Sequence, residues 1–205
     1  MPQFLEPPPT YIKEFNWHWA QWFNKLYESL SFRGGLIYTS NLGSDISSLT
    51  SAAGSYTPVN FEQAVFDTYN MYDALGGEGS DDVVRIPEGV QRIRYTYSPL
   101  IQATFNGDIN VESAVLVNAT QTSSLWTASS SDHRPGQGFS NVKRFRTTTN
   151  TTVNIPCPVQ SGVVNVQEED VLSFGARHDI ISGTVSNIEV TKDTGGSFFA
   201  WEIIE

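Results

Sequence analysis

Ser197-Phe198-Phe199-Ala200-Trp201-Glu202-Ile203-Ile204 stands at the C-terminal end of a 205-residue chain, opened by Thr194-Gly195-Gly196. Aromatic and branched residues dominate it, which favours a pleated strand over a helix. Side chains alternate across a strand, so Phe198, Ala200, Glu202 and Ile204 face one way and Phe199, Trp201 and Ile203 the other. Both faces carry bulk. One is expected to line a sandwich core, and the other needs a cover of its own.

Working outward, the chain from Tyr56 onward consists of short β-rich runs punctuated by turn residues, the pattern of an antiparallel sandwich. Strands are predicted near 59–71, 82–86, 91–106, 110–118, 142–150, 152–155, 162–166, 171–177, 184–191 and 197–204. Val111, Ser113, Val115 and Val117 mark a half-buried face. Asn106-Gly107-Asp108 reads as a hairpin turn. In Ile86-Pro87-Glu88-Gly89-Val90, the proline fixes the turn entry and the glycine accommodates a positive φ before an apolar run.

Composition bounds the function. Hydrophobic residues make up 39% and charged residues 17% of the chain, a balance that supports a folded core. The formal net charge of -10 disfavours a nucleic-acid grip built from a basic face. Arg92/Arg94 and Lys143/Arg144/Arg146 are the small basic groups, read as solvated strand edges. A single cysteine, Cys157, rules out an intrachain disulfide framework. Met1 to Thr10 has neither the basic region nor the apolar run of a signal peptide, so Asn118-Ala119-Thr120 and Asn150-Thr151-Thr152 read as chance matches to the glycosylation pattern.

Ahead of the sandwich, Pro7-Pro8-Pro9 predicts a stiff arm and Thr10 an N-cap. Ile12, Phe15, Trp19, Trp22 and Leu26 then follow a 3-4-3-4 spacing, and Trp17, Phe23, Tyr27 and Leu30 widen the apolar surface. This predicts an amphipathic, aromatic-rich α-helix to about Ser31, roughly 30 Å long at about 1.5 Å per residue. It is too short and polar to span a bilayer and lacks the basic face of a surface-lying membrane helix. Ile12, Phe15, Trp19, Trp22, Phe23 and Leu26 are therefore candidate anchoring or assembly residues, against packing on their own head. The expected organisation is arm and helix over 1–31, a Gly/Ser-rich connector over 32–55 with room for a short strand around Leu36 to Tyr38, and a jelly-roll head over 56–205.

The order of Phe66-Asp67-Thr68, Arg85-Ile86-Pro87-Glu88-Gly89-Val90 and Phe198-Phe199-Ala200-Trp201-Glu202 resembles the jelly roll shared by tumour necrosis factor, complement globular heads and bacteriophage virion proteins. The resemblance covers roughly 59–205. It departs from the pattern at Val117-Asn118-Ala119, where Asn-Gly is common, and at Glu169-Asp170, where Gly-Asp is common. The resemblance implies a trimer, with Phe199, Trp201 and Ile203 at the subunit interface and the choice between the two faces of the last strand open.

No reaction chemistry stands out. His18, His133 and His178 lie in separate segments without metal-ligand spacing, and His178-Asp179 lacks a nucleophile motif and reads as a surface turn. Gly76 to Asp82 lacks the basic residue and helix of a phosphate loop. Asp81/Asp82 and Glu168/Glu169/Asp170 read as solvated acidic turns rather than calcium sites. No catalytic residue, metal or cofactor is implied. A glycan hydrolase would need a carboxylate pair that the sequence does not display. The loop from Ala119 to Asn141 is the most function-like stretch. Its Trp126, His133 and Arg134 are candidate ligand residues, the alternative being that Trp126 caps the sandwich edge.

The leading expectation is a trimeric bacteriophage virion structural protein, a capsid decoration, cement or head-fibre protein made in the bacterial cytoplasm. Its partners would be itself and other capsid or tail proteins. The alternative is a short tail fibre or receptor-binding protein recognising a host surface glycan or protein. Neither needs nucleic acid or membrane insertion.

Overall fold

The computed structural model describes residues 33–39, 48–61, 63–73, 83–122, 125–127, 141–157, 160–191 and 196–204. The arm, the predicted helix with Ile12, Phe15, Trp19, Trp22, Phe23 and Leu26, and the loop residues His133 and Arg134 lie outside them. In chain order the strands are β1 (Gly34–Tyr38), β2 (Ser55–Pro58), β3 (Gln63–Asp67), β4 (Tyr72–Asp73), β5 (Val83–Arg85), β6 (Arg92–Ser98) and β7 (Leu100–Val117). There follow β8 (Thr120–Thr122), β9 (Leu125–Thr127), β10 (Asn141–Pro156), β11 (Gln160–Asn165), β12 (Val171–Val190) and β13 (Phe198–Ile203). They form a five-stranded sheet ordered β11-β6-β13-β1-β3 and an eight-stranded sheet with the path β10-β7-β12-β2-β9-β8, onto which β5 and β4 add beside β12. Every pairing between these strands is antiparallel.

The core between the sheets is aromatic at its centre. Phe174 of one sheet meets Phe199 of the other with ring centroids 4.3 Å apart, and Phe61 meets Phe174 at 5.2 Å. Such contacts add to the area each ring removes from water. The last strand fills the middle of its sheet, between β6 and β1. Phe199 and Trp201 are 0% and 2% exposed, and Ile203 packs against the same cluster. The reading of Phe199, Trp201 and Ile203 as a trimer interface is therefore corrected. The pleat aims them into their own sandwich because the seat for the indole lies there. At Gly35 a Cβ would stand 2.2 Å from the Trp201 ring, and Trp201 Nε1–H donates to Met71 Sδ at 3.3 Å.

Two boundaries move. β1 is an interior strand, paired on one side with β13 and on the other with β3, so the head includes Gly34–Tyr38 and does not start at Tyr56. Leu49, also inside the predicted connector, is 5% exposed and belongs to the main core. The short strand expected around Leu36 to Tyr38 is present, and its place inside the sheet depends on the distant β13.

The expected hairpin at Asn106-Gly107-Asp108 does not form. Instead β7 runs through it, paired with β12 on one side and β10 on the other. The glycines serve a sharp bend. Leu49 N–H donates to Ile188 C=O at 2.9 Å, while His178 N–H donates to Thr50 C=O at 3.0 Å. Leu49 and Thr50 are adjacent, about 3.8 Å apart, whereas a straight strand from His178 to Ile188 would span roughly 33 Å at about 3.3 Å per residue. β12 therefore folds back on itself, and β7 and β10 follow it. Gly107 (φ 116°) and Gly183 (φ 84°) face each other at the bend, and bulges lie near it between Ile180 and Ser182, Val185 and Asn187, and Thr147 and Thr151. Extra residues and positive φ values are how a pleated ladder turns a corner.

Candidate assembly face

With Phe199 and Trp201 turned inward, the same strand presents Phe198, Ala200 and Glu202 outward. Cross-strand register extends this surface: Leu36 lies beside Ala200 and Phe66, Tyr38 beside Phe198, Thr96 beside Ala200 and Ser161, and Arg94 beside Glu202 and Val163. The outer face of the five-stranded sheet thus has an apolar centre of Leu36, Tyr38, Phe66, Phe198 and Ala200. Its rim is polar. Arg94 pairs with Glu202 at 2.8 Å there, and Arg92 Nε–H donates to Asn165 Oδ1 at 3.2 Å.

Exposure grows toward the β3 edge, where Val65 is 58%, Phe66 40% and Tyr69 44% exposed. Val65 is pushed out by a bulge where β1 steps from Leu36 to Ile37. The turn after it is built firmly. Asp67 accepts from Tyr69 N–H at 3.3 Å and Tyr72 N–H at 2.7 Å, and Thr68 Oγ1 both accepts from Gly34 N–H and donates to Gly34 C=O. The Phe66-Asp67-Thr68 phrase thereby fixes the start of β1 and displays Phe66. An apolar centre with a polar rim is the anatomy of a protein–protein interface. Alternation gives β13 two faces, and the packing decides that Phe199 and Trp201 lie on the inner one.

Part of the outer face of the eight-stranded sheet is covered, although Val142, Ile180 and Ile181 stay exposed on its strands. Trp126 is 4% exposed, packed with Tyr56, Val83, Ala114 and Leu116 in a second, smaller cluster. Its assignment as a ligand-stacking residue is corrected: β9 pairs with β2 and lays the indole on the outside of the eight-stranded sheet, the capping alternative. Beside it a polar chain crosses β2, β7 and β12. Tyr56 O–H donates to Glu112 Oε1 at 2.9 Å, Arg177 Nε–H donates to Glu112 Oε2 at 2.5 Å, and Arg177 also reaches Asp179 at 3.2 Å. Nearer the bend, Arg144 donates to Asp108 at 2.9 Å and keeps its carboxyl below the usual carboxylate range. These bonds engage Arg144 and Arg177 with the buried carboxylates of Asp108 and Glu112.

His178 and Asp179 lie inside β12 and form no surface turn, and His178 is 8% exposed. The acidic run Glu168-Glu169-Asp170 is likewise not fully solvated. Asp170 is 2% exposed, and its carboxylate accepts from Asn118 Nδ2 at 2.8 Å and Gln167 N–H at 2.9 Å. Asn118 (φ 50°) and Glu169 (φ 66°) both hold left-handed backbone where glycine would be unstrained. The two departures from the family pattern are therefore in one clamp. The Asn118 amide is engaged there, bonding Asp170 and Val171 N–H. Cys157 is buried, and burial pushes its thiol up to about 12, which makes it inert at neutral pH. Among the described residues no group of three or more His, Cys, Asp or Glu is placed to hold a metal ion, and no helix is long and apolar enough to cross a membrane.

No protein-family model and no curated protein sequence matches the chain. Among solved structures, murine APRIL at pH 5.0 and pH 8.0 aligns with TM-scores of 0.46 and 0.47 at 12% identity, covering 84% of this chain and 100% of theirs. Eiger TNF from S. frugiperda aligns with a TM-score of 0.51 at 11% identity, covering 85% of this chain and 93% of that one. That likeness concerns architecture. Together with the two antiparallel sheets, it shows that the chain has a TNF-like jelly-roll fold.

Proposed function

We propose that the protein is a non-enzymatic assembly and binding head that forms a homotrimer through the outer face of its five-stranded sheet. One observation carries this reading: Leu36, Tyr38, Phe66, Phe198 and Ala200 stand in register on the outside of a sheet whose inner face is already filled. The order of the sequence motifs further supports placing it on a bacteriophage particle, as a capsid decoration, cement or head-fibre protein anchored by the aromatic N-terminal segment. The alternative of a host-recognising tail fibre loses one of its three candidate ligand residues, because Trp126 is buried.

Light scattering of the full 22.7 kDa chain tests the assembly. Three chains per particle are expected at micromolar concentration, and Ala200→Arg, at the centre of the outer face, should yield folded monomers. A wild-type monomer, or a trimer indifferent to Ala200→Arg, refutes the assigned face. Quantifying the protein in purified virions tests its placement: hundreds of copies are expected of a decoration protein, whereas absence from the particle refutes a virion role.

A further inference from the structure

Ser48–Thr50 forms a strap across the fold of β12. Ser48 bridges Glu189 on one half, Thr50 bridges Arg177 on the other, and Leu49 lies between them in the core. The strap is held by four hydrogen bonds. Besides the two that join it to Ile188 and His178, Thr50 N–H donates to Thr57 Oγ1 at 2.8 Å, and that hydroxyl donates to Ser48 C=O at 3.1 Å.

Beside this strap sits His178, 8% exposed, with Nδ1 buried and without a hydrogen-bond partner. The Leu49 backbone faces the ring and favours its charged form, as does Asp179, while Arg177 opposes it. From β10, Lys143 stands in the same cross-strand row, beyond Val111, and on the far half of β12 the charged residue next to the strap is Glu189, bridged to Ser48. The strap residues themselves carry no titratable side chain. Burial outweighs these charges and holds the ring in its neutral form. An imidazolium has two N–H donors to satisfy, and here one would be left bare in the interior.

We propose that Ser48–Thr50 is an acid-released strap: with His178 neutral it closes the fold of β12, and protonation of His178 opens it. Opening brings water to Nδ1, exposes Leu49, and leaves unpaired backbone on both halves of β12, a surface prepared for rearrangement or new pairing. The pH sense follows from linkage. With the strap open the ring titrates near its ordinary value of about 6.5, and with it closed it titrates lower. Closure is thus fully favoured above about pH 6.5 and weakens as pH falls from there through the closed-state value.

Hydrogen exchange on the full chain, corrected for intrinsic rates, tests the strap. Between pH 7.5 and pH 5.5 the amides of Leu49, Thr50 and His178 should lose protection about threefold or more relative to amides of β6 and β13, and His178→Gln should abolish that loss. Unchanged protection in the wild type, or the same loss in His178→Gln, overturns the proposal. A proton NMR titration of the wild-type His178 ring guards against a misfolded variant: titration below the ordinary value is expected, and titration at or above it overturns the proposal.

Discussion

Gly183→Ala is expected to destabilise the fold far more than Gly89→Ala, although the two glycines have nearly the same φ of 84° and 85°. An L-residue in that backbone region costs about 1–2 kcal/mol, offset by about 0.4–1 kcal/mol because the unfolded chain loses freedom. At Gly89 nothing lies within 4 Å of the new methyl group, so that balance is the whole effect: a net loss of about 0–1.6 kcal/mol. At Gly183 the methyl would stand 1.9 Å from Asn106 O and 2.9 Å from the Gly107 Cα. Those are backbone atoms of the adjacent strand and cannot rotate away. Relief requires β7 and β12 to part at the bend, adding about 1–3 kcal/mol of overpacking and about 1 kcal/mol for each ladder hydrogen bond lost. The total is about 3–5 kcal/mol. Urea unfolding of both variants and the wild type measures it, at one protein concentration because assembly would make stability concentration-dependent. If Gly183→Ala falls within about 0.5 kcal/mol of Gly89→Ala, the close approach of the two strands is refuted.

Two further substitutions test the clamp between β7 and the turn before β12. Asn118→Ala removes the donor to Asp170 and the acceptor for Val171 N–H, leaving a buried carboxylate short of a partner. A loss of about 2–3 kcal/mol in urea unfolding is expected. Glu169→Gly relieves a non-glycine residue at φ 66° and should stabilise by about 0.5–1 kcal/mol, read as a rise in the unfolding midpoint; a fall would show that the Glu169 side chain holds the turn.

The sequence by itself determined the class of fold and most of the strands, because alternation and turn residues are local properties. It also marked Phe66-Asp67-Thr68, the Ile86–Val90 turn and the last strand as structural fixtures. Tertiary structure decided what depends on distant partners. Which face of β13 is inside follows from Gly35 and Met71, far along the chain, which make room and a hydrogen bond for Trp201. Trp126 is a cap and not a ligand residue because β2 and β9 pair and enclose it. Asn106-Gly107 carries the signature of a hairpin, yet it becomes a bend because strands on both sides hold β7 in its ladder. The pairing of Asn118 with Asp170 turns two local departures into one joint. Alternation fixes parity along a strand, and only the packing of the remainder of the chain fixes its sign.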